Sequence, residues 1–188
     1  MTAVVLNLEN VGLTDEQFYQ LCLANETWRF EQTAAGALMV MSPVGGSSGN
    51  READLIGELW LWNRQTRLGK VFSSSTIFRL PNGGKRSPDV AWVRLERWEA
   101  LSPEDQEKFP PLCPDFVIEL RSRTDDWLQL QAKMNEYLEA GLKLGWLIDP
   151  KTQQVAIYRP DQAVETQFLP TTLSGEAVLP GFSLSLRF

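Results

Sequence analysis

The 188-residue chain contains no histidine. That absence removes Ser-His-Asp and Cys-His nucleophilic systems, and with them a His-ligated zinc or haem. Cysteine is almost as scarce. Cys22 and Cys113 lie far apart with no CxxC partner, so they read as two buried thiols of a reducing, cytoplasmic compartment. No apolar run approaches the ~20 residues of a membrane helix, and no membrane association is expected. The opening MTAVVLNLEN has no basic stretch and no cleavage site, so no signal peptide is expected either. Internal repeats and low-complexity linkers are lacking. Basic residues are the minority, 18 against 24 acidic for a net charge of −6. That balance weighs against broad electrostatic adhesion to nucleic acid, though not against an acidic metal site beside a local basic patch. What remains for catalysis is carboxylates, Lys, Arg, Tyr, or a metal held by oxygen ligands.

With 43% hydrophobic and 22% charged residues, the chain has an ordinary globular balance, and its length suits one domain with a core of its own. Thr14-Asp15-Glu16-Gln17 has the form of a capping box, predicting a short helix over 14–25. The segments 28–32 and 37–41 flank Ala34-Ala35-Gly36 and read as a β-hairpin. Ser42 to Gly49 reads as a flexible loop, Gly-rich but with no Gly-Lys-Ser/Thr to make it a phosphate loop. A helix follows over 50–67, with Leu55, Leu59 and Trp62 on one stripe. Strands are expected over 70–80 and 88–93, joined by the turn PNGGKR, and a charged helix over 94–109. Prolines 110, 111 and 114 lead into a strand, 115–122. Thr124 or Asp125 then caps a long helix ended by Gly141. Strands over 144–148 and 154–158 turn at Asp149-Pro150, and the tail has short strands around Pro180-Gly181. The order is that of an α+β fold, a mixed sheet with helices packed on it. The expected division is an N-terminal helix and hairpin (1–41), a core (about 42–160) and C-terminal strands (161–188), all in a single domain.

The informative segment is Asp115-Phe-Val-Ile-Glu119-Leu-Arg121. Side chains alternate along a strand, so Phe116, Ile118 and Leu120 point into a core and Asp115, Val117, Glu119 and Arg121 point the other way. A carboxylate and a guanidinium on so apolar a strand are costly unless paired or metal-bound. One reading is a buried Glu119–Arg121 salt bridge. The other brings in Ser87-Pro88-Asp89, just ahead of the apolar run 90–93. An Asp opening one strand and a Glu inside its neighbour can share a Mg²⁺, which takes oxygen ligands and keeps several waters. Such an ion activates water and offsets charge in phosphoryl chemistry.

Ser87-Pro88-Asp89 followed by Pro114-Asp115-Phe-Val-Ile-Glu119-Leu-Arg121-Ser122 resembles the PD-(D/E)XK nuclease superfamily. More narrowly it is similar to the cyanobacterial restriction endonuclease family called Uma-two. Supporting segments are Met41-Ser42-Pro43, Phe78-Arg-Leu-Pro-Asn-Gly, Lys133-Met-Asn-Glu-Tyr-Leu-Glu-Ala-Gly141, Gly145-Trp-Leu-Ile-Asp149-Pro and Ile157-Tyr-Arg-Pro160, in an order that covers roughly 28–182. The resemblance implies a restriction-endonuclease-like mixed β-sheet flanked by helices, and Mg²⁺- or Mn²⁺-dependent hydrolysis of DNA phosphodiester bonds. Asp89 matches the motif's Asp, and Glu119 its second acidic position. Arg121 stands where the motif has Lys. A guanidinium stays charged and suits contact with the scissile phosphate, but it is a poor base. Lys133, on the helix after that strand, is the candidate to orient or activate water; its alternative is a surface lysine on an amphipathic helix. Glu52 borders the buried stripe of its helix and is a candidate third metal ligand, or else an exposed first-turn Glu complementing the helix dipole.

Basic residues fall into two loose sets, Arg51, Arg64, Arg67 and Lys70, and Arg79, Lys85 and Arg86. These suit either a nucleic-acid groove or a solvated face. Most of the seven tryptophans read as core. Cutting both strands of a duplex suits a two-fold pair, so a homodimer is expected by analogy. Two rival readings stand beside the endonuclease: a degenerate nuclease fold kept as a nucleic-acid- or protein-binding module, and a metal-dependent hydrolase of small phosphate esters.

Overall fold

The computed structural model describes residues 4–8, 11–41 and 43–188. Ser42, part of the expected loop, lies outside them. The chain opens with β1 (Val4–Leu6), α1 (Asp15–Ala24), β2 (Arg29–Gln32) and β3 (Leu38–Met41). The capping box forms: Thr14 Oγ1 accepts from Gln17 N, and Gln17 Oε1 accepts from Thr14 N. The expected hairpin is β2 paired antiparallel with β3.

Then come α2 (Gly46–Thr66), β4 (Gly69–Ser73), β5 (Phe78–Arg79), β6 (Lys85–Arg86) and β7 (Val90–Arg94). Residues 46–49, expected in a loop, are the first turn of α2. Packing of Leu55 and Leu59 carries this helix, and cooperative extension recruits a Gly-Ser turn that propensity alone disfavours. The strand expected over 70–80 is broken by a turn in which Thr76 N donates to Ser73 O. The PNGGKR stretch is not all turn, because Lys85 and Arg86 form the short strand β6 between β2 and β5.

The single helix expected over 94–109 is two: α3 (Leu95–Glu99) and α4 (Pro103–Glu107). Ser102 caps α4 by accepting from Asp105 N, and Pro103 at its first position prevents continuation from α3. After β8 (Phe116–Leu120), α5 (Trp127–Glu139) is capped by Asp126, one residue beyond the two candidates, because Asp125 is already used to accept from Ser122 N. The chain finishes with β9 (Leu144–Asp149), β10 (Gln154–Tyr158), β11 (Glu165–Phe168), β12 (Thr171–Ser174) and β13 (Ser183–Leu186).

The central sheet has the order β11-β10-β9-β8-β7-β4. Only β8 and β9 pair in parallel, joined by the α5 crossover, so the sheet is mixed. A second sheet, β1-β3-β2-β6-β5, lies beside it, and β12 and β13 form a separate ribbon. Phe116, Ile118 and Leu120 pack with Leu55 and Leu59 of α2 on one face of the central sheet. Val117, Leu147 and Ala156 pack with Met134 and Tyr137 of α5 on the other. The alternation along β8 thus follows the expected faces, placing Glu119 on the α5 side. Trp92 and Trp146 are core residues, whereas Trp28 and Trp60 are exposed.

Cys113 is buried, and its thiol donates to the Tyr137 carbonyl at 3.5 Å. Burial pushes its pKa up to about 12 and that of Cys22 up to about 11. Both stay protonated near neutral pH, so neither is a competent nucleophile. Maleimide labelling at pH 7.5, read by mass, should be slow for Cys113 until denaturant is added; rapid labelling of the folded chain would contradict its burial.

Candidate active site

Antiparallel pairing of β7 with β8 places Val90 opposite Ile118. One residue beyond that pair lie Asp89, immediately ahead of β7, and Glu119, within β8. Asp89 Oδ2 accepts from Leu120 N at 2.7 Å, so its carboxylate takes a donor from the end of β8. Burial holds the Asp89 carboxyl well above its usual pKa. The charges of Glu119 and Glu52 push the same way, opposed by Lys133 and the Leu120 N–H. Glu119 is also raised, chiefly by burial, with Glu31 adding and Lys133 opposing.

Lys133 and Tyr137 lie four apart on the buried face of α5, the spacing that aligns side chains on a helix. Lys133 is buried rather than at the surface. Its Nζ lies 2.8 Å from Glu119 Oε1 and 2.8 Å from Glu31 Oε1, and donates to Ser87 O at 3.2 Å. The three ammonium protons thus have three acceptors. Burial alone would lower its pKa, but Glu119 and Glu31 outweigh that and raise it, so the group is a fixed cation that does not accept a proton. The Tyr137 hydroxyl donates to Glu119 Oε1 at 3.0 Å, and its pKa is held well above the usual value by burial and by Glu119.

The other two candidates are placed differently. Arg121 does not pair with Glu119. Its guanidinium reaches Asp149 Oδ2 at 2.6 Å and the Asp125 carbonyl at 3.2 Å, and lies over the Trp127 ring. In place of the salt bridge to Glu119, Arg121 forms a clamp at the end of β9. That clamp also holds the Asp149 carboxyl below its usual pKa, against its own burial. Glu52 accepts a hydrogen bond from the Ser74 hydroxyl, which itself receives one from Arg29 at 2.9 Å. Its charge is felt at Asp89, yet it does not complete a ligand group. Among the described residues, no three His, Cys, Asp or Glu side chains gather to hold a metal ion.

Glu31, not singled out as a site member, contacts Lys133, and Arg86 and Glu136 extend the network from it. Glu31 on β2 is 1% exposed, and besides Lys133 it accepts from Ser87 N and from Arg86, each at 3.0 Å. Arg86 continues to Glu136 through Nε at 2.9 Å and through a second, shorter contact from Nη2. Lys85 and Arg86, expected in a turn or a basic surface, are buried. Lys85 instead pairs with Asp15 and Gln32, so both are removed from any basic groove.

The donor set is hard oxygen throughout. With one ammonium shared with Glu31, burial and neighbouring carboxylates hold both acids above their usual pKa, a penalty that a bound cation would relieve. Two carboxylates completed by waters suit Mg²⁺ or Mn²⁺, so these residues fit such an ion.

A family model described as "Uma2: Putative restriction endonuclease" matches residues 15–187. No curated protein matches the chain. Among solved structures, a protein from Anabaena variabilis ATCC 29413, described as a putative nuclease belonging to DUF820, superposes with a TM-score of 0.72 at 19% identity. The match covers 83% of this chain and 86% of that one, a likeness of fold.

Proposed function

Because the chain belongs to the Uma2 family and has a restriction-endonuclease-like fold, we infer that its nuclease-like function is metal-dependent hydrolysis of DNA phosphodiester bonds at Asp89 and Glu119. The observation that carries this reading is the placement of Asp89 and Glu119 one step past the Val90–Ile118 pair, with the Lys133 ammonium against Glu119. Asp89 and Glu119 would hold Mg²⁺ or Mn²⁺. When bound, that ion supplies Lewis acidity and makes its coordinated water a nucleophile at neutral pH. Lys133 contributes charge and orientation rather than proton abstraction. Tyr137 fixes Glu119. Glu52, held through Ser74, adds negative potential at Asp89. Arg121 contacts a backbone phosphate only if it leaves Asp149. A two-fold pair of chains would present two such sites to a duplex.

The Arg121–Asp149 clamp and the lack of a three-acid group among the described residues favour a second reading, a nuclease fold retained for binding. Plasmid cleavage in Mg²⁺ or Mn²⁺ separates them. Wild type is expected to nick or linearise the plasmid, and Asp89→Ala to leave it supercoiled. Equal cleavage by both proteins would remove Asp89 from the mechanism. A wild type that binds DNA without cutting it, and is not rescued by Arg121→Lys, would favour the binding module.

A further inference from the structure

Lys133 stands between two carboxylates at equal distance, 2.8 Å from each. Only Glu119 belongs to the proposed metal pair. Glu31 comes from β2 in the other sheet, is almost wholly buried, and is held by Arg86 from one side and the Ser87 N–H from another. A hairpin surface has no need of a buried carboxylate, and burying one is costly unless its partners are fixed. Those partners converge on the segment leading into Asp89. Glu31 takes the N–H of Ser87, and Lys133 takes its carbonyl, so the Ser87 residue is gripped at both ends two positions before Asp89.

We propose that Glu31 is a positioning residue of the metal site: it holds the Lys133 ammonium partly off Glu119, so that a divalent cation can compete for that carboxylate. This rests on the reading of Asp89 and Glu119 as the ion's ligands. An ammonium that belonged to Glu119 alone would be an internal competitor for the ion. Sharing it with a second fixed carboxylate gives the ammonium a place to stay when the ion arrives. Arg86, anchored on Glu136, keeps Glu31 in position to do so.

The test is a double-mutant cycle on Mn²⁺ binding measured by calorimetry, with thermal unfolding of each protein alongside. Glu31→Gln should weaken Mn²⁺ binding by about fivefold or more, within the usual range of site-to-site coupling. Lys133→Met should bind Mn²⁺ at least as tightly as wild type. In the Lys133→Met background, Glu31→Gln should change affinity by less than about twofold, because its effect runs through the ammonium. Glu31→Asp, which keeps the charge, should recover part of the loss.

Unchanged Mn²⁺ affinity in a folded Glu31→Gln protein would overturn the proposal. So would an equal weakening with and without Lys133, which would make Glu31 a direct ligand or a purely structural residue. If Glu31→Gln does not fold, the charge-balanced double variant against Lys133→Met decides, and a difference between them overturns the proposal. A wild type that takes up no Mn²⁺ sinks the metal-site reading and this inference with it; an indifferent Glu31→Gln in a metal-binding protein sinks this inference alone.

Discussion

Glu119→Gln is expected to abolish Mg²⁺ or Mn²⁺ binding and to lower DNA cleavage by a factor on the order of 10³, since a catalytic ion is worth several kcal/mol and each factor of ten is about 1.4 kcal/mol. The fold should scarcely notice. The amide oxygen can still accept from Lys133 and from the Tyr137 hydroxyl, the two contacts made by Glu119 Oε1. Lys133 also keeps Glu31 and the Ser87 carbonyl, so no buried cation is stranded. The substitution therefore removes charge while leaving shape and most hydrogen bonds in place. Calorimetry with Mn²⁺, plasmid cleavage and a thermal melt form one set of measurements. Intact binding would put the ion elsewhere in the chain. A collapsed melting temperature would show that Glu119 serves chiefly as a structural ion-pair partner.

Arg86→Met should cost about 3–5 kcal/mol of stability in a urea titration, the range for removing one partner of a buried ion pair. Arg86 is 5% exposed and joins Glu31 on β2 to Glu136 on α5, so its loss takes the cation from Glu136 and leaves Glu31 with Lys133 alone. Methionine replaces part of the volume and none of the five N–H donors. Arg79→Met is the control. The Arg79–Asp15 pair is much more exposed on both sides, and such pairs contribute about 0–1 kcal/mol. A similar small effect for both variants would mean that the buried network adds nothing that packing does not already supply.

These two residues differ in how far the sequence discloses them. Glu119 is conspicuous because a charge interrupts an apolar period-two run, and the same alternation names the face it occupies. Lys133 is legible only in part. Helical spacing places it beside the apolar stripe of Trp127, Leu130, Met134 and Leu138, but whether a long side chain turns outward or inward depends on a partner, and its partner Glu31 is 102 positions away. Glu31 itself gives no local sign, since Arg29-Phe-Glu-Gln32 alternates as any half-exposed hairpin would. Lys85 and Arg86 mislead for the opposite reason. Two charged residues after Asn-Gly-Gly have the chemistry of an exposed turn, and a two-residue strand is too short to show a period. Arg121, expected within the strand, lies one residue past the end of β8, and its reach to Asp149 depends on the parallel neighbour β9, which local pattern cannot align. The long elements and their succession along the chain are readable because burial of whole faces dictates them. The buried ion pairs of Glu31, Arg86 and Lys133 are not, because they close between segments distant in sequence.

Asp89 takes the backbone N–H of Leu120, so it is stitched into the end of the strand that carries Glu119. The separation of the two carboxylates is therefore inherited from the repeat of the antiparallel ladder rather than from the excursion over 95–115 that connects the strands. Changes in the exposed α4 part of that excursion should leave the spacing untouched, whereas its end, with Leu112, Cys113 and Asp115, is buried. A slip of one residue between β7 and β8 would turn Glu119 to the opposite face and erase the pair at once. Tolerance to change around this site is accordingly lopsided, widest at the exposed α4 and close to nil along two short strands.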